Sequence, residues 1–182
     1  MRRIKDLENL TPEEKLIVYW ETIGYIYDLN RTSEVKAGLI ISFYGLFLGA
    51  IFQIATTVET SFKFSTFLIV VMVIFIIFVA RSIYYSFQCF LPQIETKFDK
   101  NMFFFYDVIT HYGDIRSFSK KFNELLDNED DLYGQLGQQI YVNSLIASKK
   151  FADVNNSVRN LVYSFIPMSI GALTILATIY IL

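Results

Sequence analysis

Three long uncharged segments dominate the sequence and constrain what the chain can fold into. The first, Ala37–Val58, carries no charged residue. The second begins at Phe64 and reads FSTFLIVVMVIFIIFVA up to Arg81; the third, LVYSFIPMSIGALTILATIYIL, runs from Leu161 to Leu182. A helix needs about 20 consecutive apolar residues to cross the hydrocarbon layer of a bilayer. A buried hairpin of a soluble protein can imitate one such segment but hardly three, so the sequence predicts three transmembrane helices.

Basic residues are distributed unevenly around these segments and predict the orientation of the chain. Membrane proteins concentrate Lys and Arg in their cytoplasmic loops. Lys63 is the one basic residue between the first two segments. The others precede the first segment (Arg2, Arg3, Lys5, Lys15, Arg31 and Lys36) or lie between the second and third (Arg81, Lys97, Lys100, Arg116, Lys120, Lys121, Lys149, Lys150 and Arg159). We therefore expect a cytoplasmic N-terminus and middle region, with the C-terminus across the membrane.

The predicted fold class is an all-α membrane protein with a cytoplasmic helical region between the second and third spans. The predicted segments are 1–36, a cytoplasmic amphipathic helix; 37–58, the first span; 59–63, an external loop; 64–86, the second span; 87–159, the cytoplasmic helical region; and 160–182, the third span. Thr11, Pro12 and Glu14 have the pattern of a capped helix start. No proline lies between Pro12 and Gln53 or between Asp131 and Pro167, which predicts continuous helices entering the first and third spans.

Hydrophobic spacing predicts three helices in the cytoplasmic region. ETKFDKNMFFFYDVITHYGD is expected to form one helix that ends near Gly113, and IRSFSKKFNELLDN a second, with Ile115 and Phe118 on its apolar face. The last begins near Asp131 or Leu132. DNEDD is interpreted as a turn and helix start, because it lacks the glycine and alternating spacing of a calcium loop.

Small and weakly polar residues form stripes on two of the predicted spans. Helices in lipid associate through small residues and shared hydrogen bonds. The first span carries Gly38, Ser42, Gly45, Gly49 and Gln53, and the third carries Ser164, Pro167, Gly171, Thr174 and Thr178, each set spaced by three or four residues. The second span has no such stripe, so we expect the first and third to pack through these faces and the second to face lipid. Two arrangements stay open: packing within one subunit, or a stripe that faces a symmetry mate in a homo-oligomer and lines a pore.

Residues suited to catalysis are sparse. His111 is the only histidine and Cys89 the only cysteine, which excludes multi-histidine metal sites and an internal disulfide. The sequence contains no glycine-rich phosphate loop, nucleophile elbow or zinc-protease motif. The formal net charge of −2 gives no indication of nucleic-acid binding. We therefore expect no enzymatic activity, no metal, no cofactor and no nucleic-acid partner.

Polar and aromatic residues of the cytoplasmic region suit a nucleotide. The turn HYGDIRSF places an aromatic ring and cations at a predicted helix start, where backbone N–H groups favour anions. Amides on the last cytoplasmic helix suit a base edge. The candidate ligand-binding residues are His111, Tyr112, Asp114, Arg116, Lys120, Lys121, Gln139, Asn143 and Lys150. Solvated helix faces have a similar composition, so this second interpretation stays open.

Several motifs resemble the membrane effectors of bacterial Pycsar antiphage defence. The similar stretches are SEVKAGLIISFYGLFLG, FFFYDVITHYGDIRSFSKKFNELL and DLYGQLGQQIYVNSLIASKKFADVNNSVRNL. The family's acidic residue followed by Lys-Ala is matched by Glu34, Lys36 and Ala37; its aromatic-Gly-Asp turn by Tyr112, Gly113 and Asp114; and its Gln-Ile run with a later Lys-aromatic pair by Gln139, Ile140, Lys150 and Phe151. The resemblance covers roughly residues 33–182.

The resemblance implies a specific function. In this family a cognate cyclase makes cyclic UMP or cyclic CMP during infection, the effector responds, and the inner membrane loses integrity before phage mature. The chain contains no recognisable β-roll nucleotide domain, so a pocket would have to be built from helices. Glu34 and Lys36, where the first long helix enters its span, are candidate gating residues. The alternative is a membrane-anchored adaptor that binds a protein partner and forms no pore.

Overall fold

Helices make up most of the part of the chain that the structure describes. The computed structural model describes residues 10–57, 66–91 and 99–181, with side chains in the ranges 10–53, 66–91 and 99–178. The helices are α1 (Pro12–Thr57), α2 (Thr66–Phe90), α3 (Phe105–His111), α4 (Ile115–Leu126) and α5 (Glu129–Ile181). No strand occurs within these ranges, and the predicted all-α membrane fold class is confirmed.

Among the described residues, three helices are long and apolar enough to cross a membrane: α1, α2 and α5. α1 has 46 residues and α5 has 53, so each extends far beyond the length that a bilayer requires. The predicted continuity of both helices is confirmed. The predicted external loop at 59–63 lies outside the described residues, as do residues 1–9, 92–98 and 182.

The chain divides into two units. One, which we call the head unit, takes its residues from Met1–Asn30 and Gln93–Ser148. The other, which we call the membrane unit, takes them from Arg31–Pro92 and Lys149–Leu182. Two helices, α1 and α5, therefore contribute residues to both units without a break.

The core of the membrane unit is built by large side chains from all three apolar helices. Ile40 and Tyr44 of α1 pack with Phe75 and Val79 of α2 in one buried cluster, and residues of α5 close it. Along α2 the buried positions recur every three or four residues: Leu68, Val71, Phe75, Val79, Ser82, Ser86 and Cys89. The expectation that the second span faces lipid alone is therefore wrong. Its bulky residues fill the interior and also present an outer face.

The core of the head unit forms where α1, α4 and α5 meet the segment before α3. Met102, Leu125, Leu132 and Leu136 are buried together, and aromatic rings surround them. Tyr19 of α1 stacks on Tyr133 of α5, with ring centres 5.4 Å apart. This unit thus has a hydrophobic core of its own.

The start of α1 follows the predicted capping pattern. The Glu14 carboxylate accepts from the Thr11 backbone N–H at 2.8 Å and from the Thr11 hydroxyl at 3.0 Å. The backbone N–H of Glu14 in turn donates to the Thr11 hydroxyl at 3.3 Å. These contacts form a capping box. The hydrogen bonds from Thr11 lower the pKa of the Glu14 carboxyl.

The head helices differ from the prediction at three places. The helix expected to end near Gly113 is short, because the side-chain Oδ1 of Asn101 accepts from the Phe103 N–H at 2.8 Å and the Asp107 carboxylate accepts from the Asn101 backbone N–H at 3.0 Å. Such side-chain bonds compete with helix formation. Ile115 was expected on an apolar face but is 84% exposed. α5 begins at Glu129, slightly earlier than expected and within the acidic stretch DNEDD, which was interpreted as a turn and helix start.

Candidate functional site

A buried cluster of three serines joins α2 to α5 in the membrane unit. The hydroxyls of Ser82 and Ser157 each donate to the backbone carbonyl of the other residue at 2.8 Å. The Ser86 hydroxyl lies 2.7 Å from that of Ser157. All three side chains are fully buried. Because an unpaired hydroxyl is unfavourable in an apolar interior, this serine clasp favours one arrangement of the two helices.

The serine clasp was missed from sequence, although a signal for it exists. Ser82, Ser86 and Cys89 follow each other at spacings of four and three, so they share one face of α2. Next to them Cys89 is buried with Ala37 of α1 and Val154 of α5. Small side chains at these positions allow the three helices to approach one another closely.

An ion pair ties α1 to α5 within the membrane unit. The ammonium of Lys150 donates to the carboxylate of Glu34. The Lys150 side chain is only 10% exposed, whereas that of Glu34 is 41% exposed. Nearby, the Lys36 ammonium lies 6.0 Å from the ring centre of Phe151, at the outer limit of a cation–π contact. Both predicted gating residues, Glu34 and Lys36, thus contact α5.

The stripe of small residues on the first span lies mostly outside the core of the subunit. Gly38 is half-buried, and a Cβ there would lie 3.5 Å from the Phe90 ring. Beyond it, Ser42, Gly45 and Gly49 are exposed, and a Cβ on either of these glycines would meet nothing within 4 Å. Gln53, the last member, is exposed as well. The expectation that first and third spans pack through their small faces is therefore wrong for α1, which packs through Ala37, Ile40 and Tyr44 on its opposite side.

The stripe on the third span has a different environment. Ser164 is buried and donates to the backbone carbonyl of Leu161 at 2.7 Å. A Cβ on Gly171 would lie 3.8 Å from Val71 of α2, so this part of the stripe packs against the second span. Thr174 and Thr178 donate to carbonyls four residues earlier on α5, both at 2.8 Å. Pro167 also lies inside α5, between Ser164 and these two threonines.

Asp114 caps α4. Its carboxylate accepts from the backbone N–H groups of Arg116 at 2.7 Å and Ser117 at 3.0 Å. These hydrogen bonds, the one from Ser117 first, lower the pKa of the Asp114 carboxyl. The donors that were expected to favour an anionic ligand at this helix start are therefore taken by the protein's own carboxylate.

Tyr112, the aromatic candidate of the turn, has a half-buried ring. Tyr112 packs edge-on against Phe118, and the Lys121 ammonium lies 5.5 Å from its ring centre. Burial, and secondarily the charge of Asp107, raises the pKa of the Tyr112 hydroxyl. The Nδ1 atom of His111 lies 2.7 Å from the Thr110 hydroxyl and 3.6 Å from the Asp107 carboxylate. An aromatic ring with an adjacent cation is thus present in the head unit.

The remaining candidates separate into different environments. Arg116 and Lys120 are exposed on α4, and the Lys120 ammonium lies 3.8 Å from the Glu124 carboxylate. Gln139 and Asn143 are half-buried on the head portion of α5. Lys150 belongs to the membrane unit and is directed to Glu34. The structure therefore places eight candidates in the head unit and removes the buried Lys150 from the groups that face solvent.

A polar network next to these residues was also missed from sequence. The side-chain NH₂ of Asn101 donates to the Gln135 backbone carbonyl at 2.7 Å, and the side-chain oxygen of Gln135 accepts from the Met102 backbone N–H at 2.8 Å. Asn101 is 95% buried by these contacts. The network fixes the segment before α3 on α5. No group of three or more His, Cys, Asp and Glu side chains with metal-binding geometry occurs in the described ranges.

These features define an all-α membrane protein whose two longest helices also build a separate helical head. The chain belongs to the Pycsar effector family, because the profile of the Pycsar effector protein domain matches residues 18–179. The resemblance noted in the sequence is thereby confirmed, and the role of the chain is that of a Pycsar-type antiphage effector. No curated protein and no solved structure matches it.

Proposed function

We propose that the chain senses cyclic UMP or cyclic CMP from a cognate cyclase and in response compromises the bacterial inner membrane, causing abortive infection. The activity is proposed to be non-enzymatic, with the nucleotide as activating ligand rather than substrate. In this proposal the N-terminus and the head unit lie in the cytoplasm and the C-terminus on the far side. The distribution of basic residues supports that orientation.

One observation carries the proposal: α1 and α5 each supply residues to the head unit and to the membrane unit. A ligand shifts a conformational equilibrium only when it binds one state more tightly than the other. A head unit that changes its packing on ligand binding must move residues of α1 or α5, and these helices continue directly into the membrane unit. Moving an equilibrium from 1:99 to 99:1 requires roughly 10⁴-fold tighter binding to the active state.

The best-supported ligand contacts lie around Tyr112. A half-buried ring suits stacking on a pyrimidine. The Lys121 ammonium, 5.5 Å from that ring centre, suits a cyclic phosphate, as do the exposed cations Arg116 and Lys120 of the same helix. We keep His111, Gln139 and Asn143 as candidates for the base or ribose. In this proposal Asp114 caps α4 and does not contact the ligand.

We also propose that subunits associate through the exposed stripe of α1. Exposed glycines allow helices to approach closely in lipid, and Ser42 and Gln53 can share hydrogen bonds with a second copy. Such polar groups inside a membrane generally mark interfaces or water-filled pathways. An opening between copies would account for loss of membrane integrity.

Dye release from liposomes tests the proposed function. Protein reconstituted in dye-filled vesicles is titrated with cyclic UMP, CMP, AMP and GMP, and release is expected with a cyclic pyrimidine nucleotide. Replacing Lys120 and Lys121 by Ala should weaken nucleotide binding, measured by calorimetry, about tenfold for each cation that contacts phosphate. Lys100→Ala, at another exposed lysine of the head unit, is the matched control.

Two outcomes would contradict the proposal. Absence of release with all four nucleotides, together with co-purification of a protein partner, would favour the adaptor. Unchanged binding in the Lys120 and Lys121 variants would remove these residues from the pocket.

A further inference from the structure

Two arginines of the membrane unit, Arg81 on α2 and Arg159 on α5, belong to neither the serine clasp nor the candidate nucleotide site. Both are exposed. No ion pair among the described residues involves either of them, and α2 contains no acidic residue. A charge beside an apolar helix surface is unfavourable unless it reaches water or a partner of opposite charge. The two guanidinium groups are therefore available to an anion from outside the chain.

The helices that carry these arginines are antiparallel and are held in register by two contacts. The hydroxyls of Ser82 and Ser157 lie 3.1 Å apart in the serine clasp. The rings of Phe78 and Tyr163 meet edge to face, with their centres 5.9 Å apart. The ring contact lies before the clasp along α2 but after it along α5, so the two helices run in opposite directions.

The two arginines consequently lie at one level of the membrane unit. Arg81 is one residue from Ser82, in the direction of the ring contact. Arg159 is two residues from Ser157, in the same direction. At a helical rise of about 1.5 Å per residue, these displacements from the clasp are roughly 1.5 and 3 Å. Because arginine side chains are long, such a small difference in level allows both guanidinium groups to reach one anion.

The arginines also lie on faces of α2 and α5 that adjoin. Positions three or four apart on a helix share a face. Arg81 therefore shares a face with Phe78, and Arg159 shares one with Tyr163. Because the rings of Phe78 and Tyr163 are in contact, the two faces border the same outer surface between the helices.

This surface lies at the edge of the apolar stretches. The apolar stretch of α2 ends at Arg81, and that of α5 begins at Leu161. Tyr84 and Tyr85 follow Arg81, and tyrosine is enriched where a membrane helix meets the lipid headgroups. Lipid phosphates lie at this depth, and acyl chains lie against the apolar stretch next to it. A ligand that fits this surface therefore combines a phosphate with an acyl chain.

We propose that Arg81 and Arg159 together bind the phosphate of an anionic phospholipid whose acyl chain lies along Phe78 and Tyr163. Guanidinium groups form charge-assisted, often bidentate hydrogen bonds with phosphate. A phospholipid with a net negative charge is preferred to a zwitterionic one, because the two arginines repel the cationic group of the latter. The bound lipid bridges α2 to α5 and favours the arrangement that the serine clasp also favours. The inference is independent of the proposed nucleotide response.

Native mass spectrometry of the full-length protein in detergent measures this binding directly. Phosphatidylglycerol or phosphatidylcholine is added to delipidated protein, and we expect one tightly bound phosphatidylglycerol per chain. Arg81→Gln and Arg159→Gln should each weaken its binding about fivefold, which is the contribution of one basic residue near an anionic membrane surface. Arg31→Gln is the matched control, because Arg31 is another exposed arginine of the membrane unit, and it should bind the lipid as the wild type does.

Three outcomes of this experiment would overturn the proposal. Equal binding of the two lipids would show that the negative charge is not recognised. An equal loss of affinity in Arg31→Gln would indicate diffuse attraction to basic residues instead of a site. Displacement of the lipid by millimolar glycerol phosphate or cyclic UMP would indicate a site for a soluble anion.

A second measurement uses the wild type alone and keeps the test decisive if the variants fold poorly. Cys89, the single cysteine of the chain, is buried with Ala37 and Val154, so a maleimide reaches its thiol only when the three helices separate. Phosphatidylglycerol should slow this labelling severalfold because it bridges α2 to α5, and high salt should remove the effect. Phosphatidylcholine should leave the rate unchanged. Equal slowing by both lipids, or no slowing by either, would contradict the proposal.

Discussion

The ion pair between Glu34 and Lys150 should contribute measurably to the stability of the membrane unit. Removing one partner of a fully buried pair costs about 3–5 kcal/mol. The Glu34 side chain retains 41% exposure, so solvent screens part of the interaction, and we expect about 1–3 kcal/mol for Glu34→Gln or Lys150→Met. The double variant should lose clearly less than the sum of the two single losses, because neither charge then remains unpaired.

A double-mutant cycle measures this coupling. The free energy of unfolding is followed by circular dichroism in mixed micelles with increasing SDS at neutral pH, for the wild type, both single variants and the double variant. Lys120 and Glu124 provide the matched control: this pair lies four residues apart on α4, with side chains 80% and 63% exposed. Its coupling should be about 0–0.5 kcal/mol. If the coupling between Glu34 and Lys150 is no larger than this, the pair does not stabilise the membrane unit and the reasoning is refuted.

Three further predictions concern the clasp, the cap and the stripe. Ser157→Val removes the hydroxyl that contacts both Ser86 and Ser82, although Ser82 keeps its hydrogen bond to the backbone carbonyl at position 157. The substitution should lower the free energy of unfolding by about 1–3 kcal/mol, whereas Ser144→Ala, at an exposed serine of the same helix, should have little effect. The lowered pKa of Asp114 means that its stabilisation of α4 is complete above the unfolded value of about 3.9 and is lost as the pH falls through the folded value. Thermal unfolding by circular dichroism should therefore show a smaller loss of stability below pH 4 in Asp114→Asn than in the wild type. Gly45→Leu with Gly49→Leu should leave unfolding unchanged, since both positions face open space, but should abolish self-association in chemical crosslinking and toxicity on expression.

The long helices could be predicted from sequence because hydrophobic length is a local property. The run from Pro12 to Thr57 and the run from Glu129 to Ile181 contain a start signal and an apolar stretch that no other fold accommodates. The capping box of Thr11 and Glu14 is equally local. Such features depend on neighbours three or four residues away, and the sequence displays those neighbours directly.

The packing of the spans could not be predicted in the same way. Small residues on α1 indicated a close helix contact, but they do not specify whether the contact lies within the subunit. The choice depends on whether the large residues Ile40 and Tyr44 on the opposite face find a better fit, which they do against Phe75. That fit depends on the shapes of side chains from helices that are far apart in the sequence. Sequence alone therefore identified the faces of α1 but assigned the wrong one to the core.

The candidate ligand residues show a similar limit. A carboxylate before a helix can serve as a cap or face a ligand, and the local pattern around Asp114 is the same in both cases. A lysine followed by an aromatic residue can bind phosphate or form an internal ion pair. Lys150 forms an internal ion pair, because α1 provides Glu34, a residue 116 positions away in the sequence. The role of each charge is decided by such distant partners.

The serine clasp also has a consequence for the order in which the chain is made. Its two halves are separated by 71 to 75 residues, which ribosomes add in roughly 4–15 s. During that interval the first two spans are already synthesised while Ser82 and Ser86 still await Ser157. In newly made α2 these two hydroxyls therefore lack Ser157 as a partner, and they gain it only when the last span arrives. Biogenesis of the membrane unit is completed only when its third helix inserts.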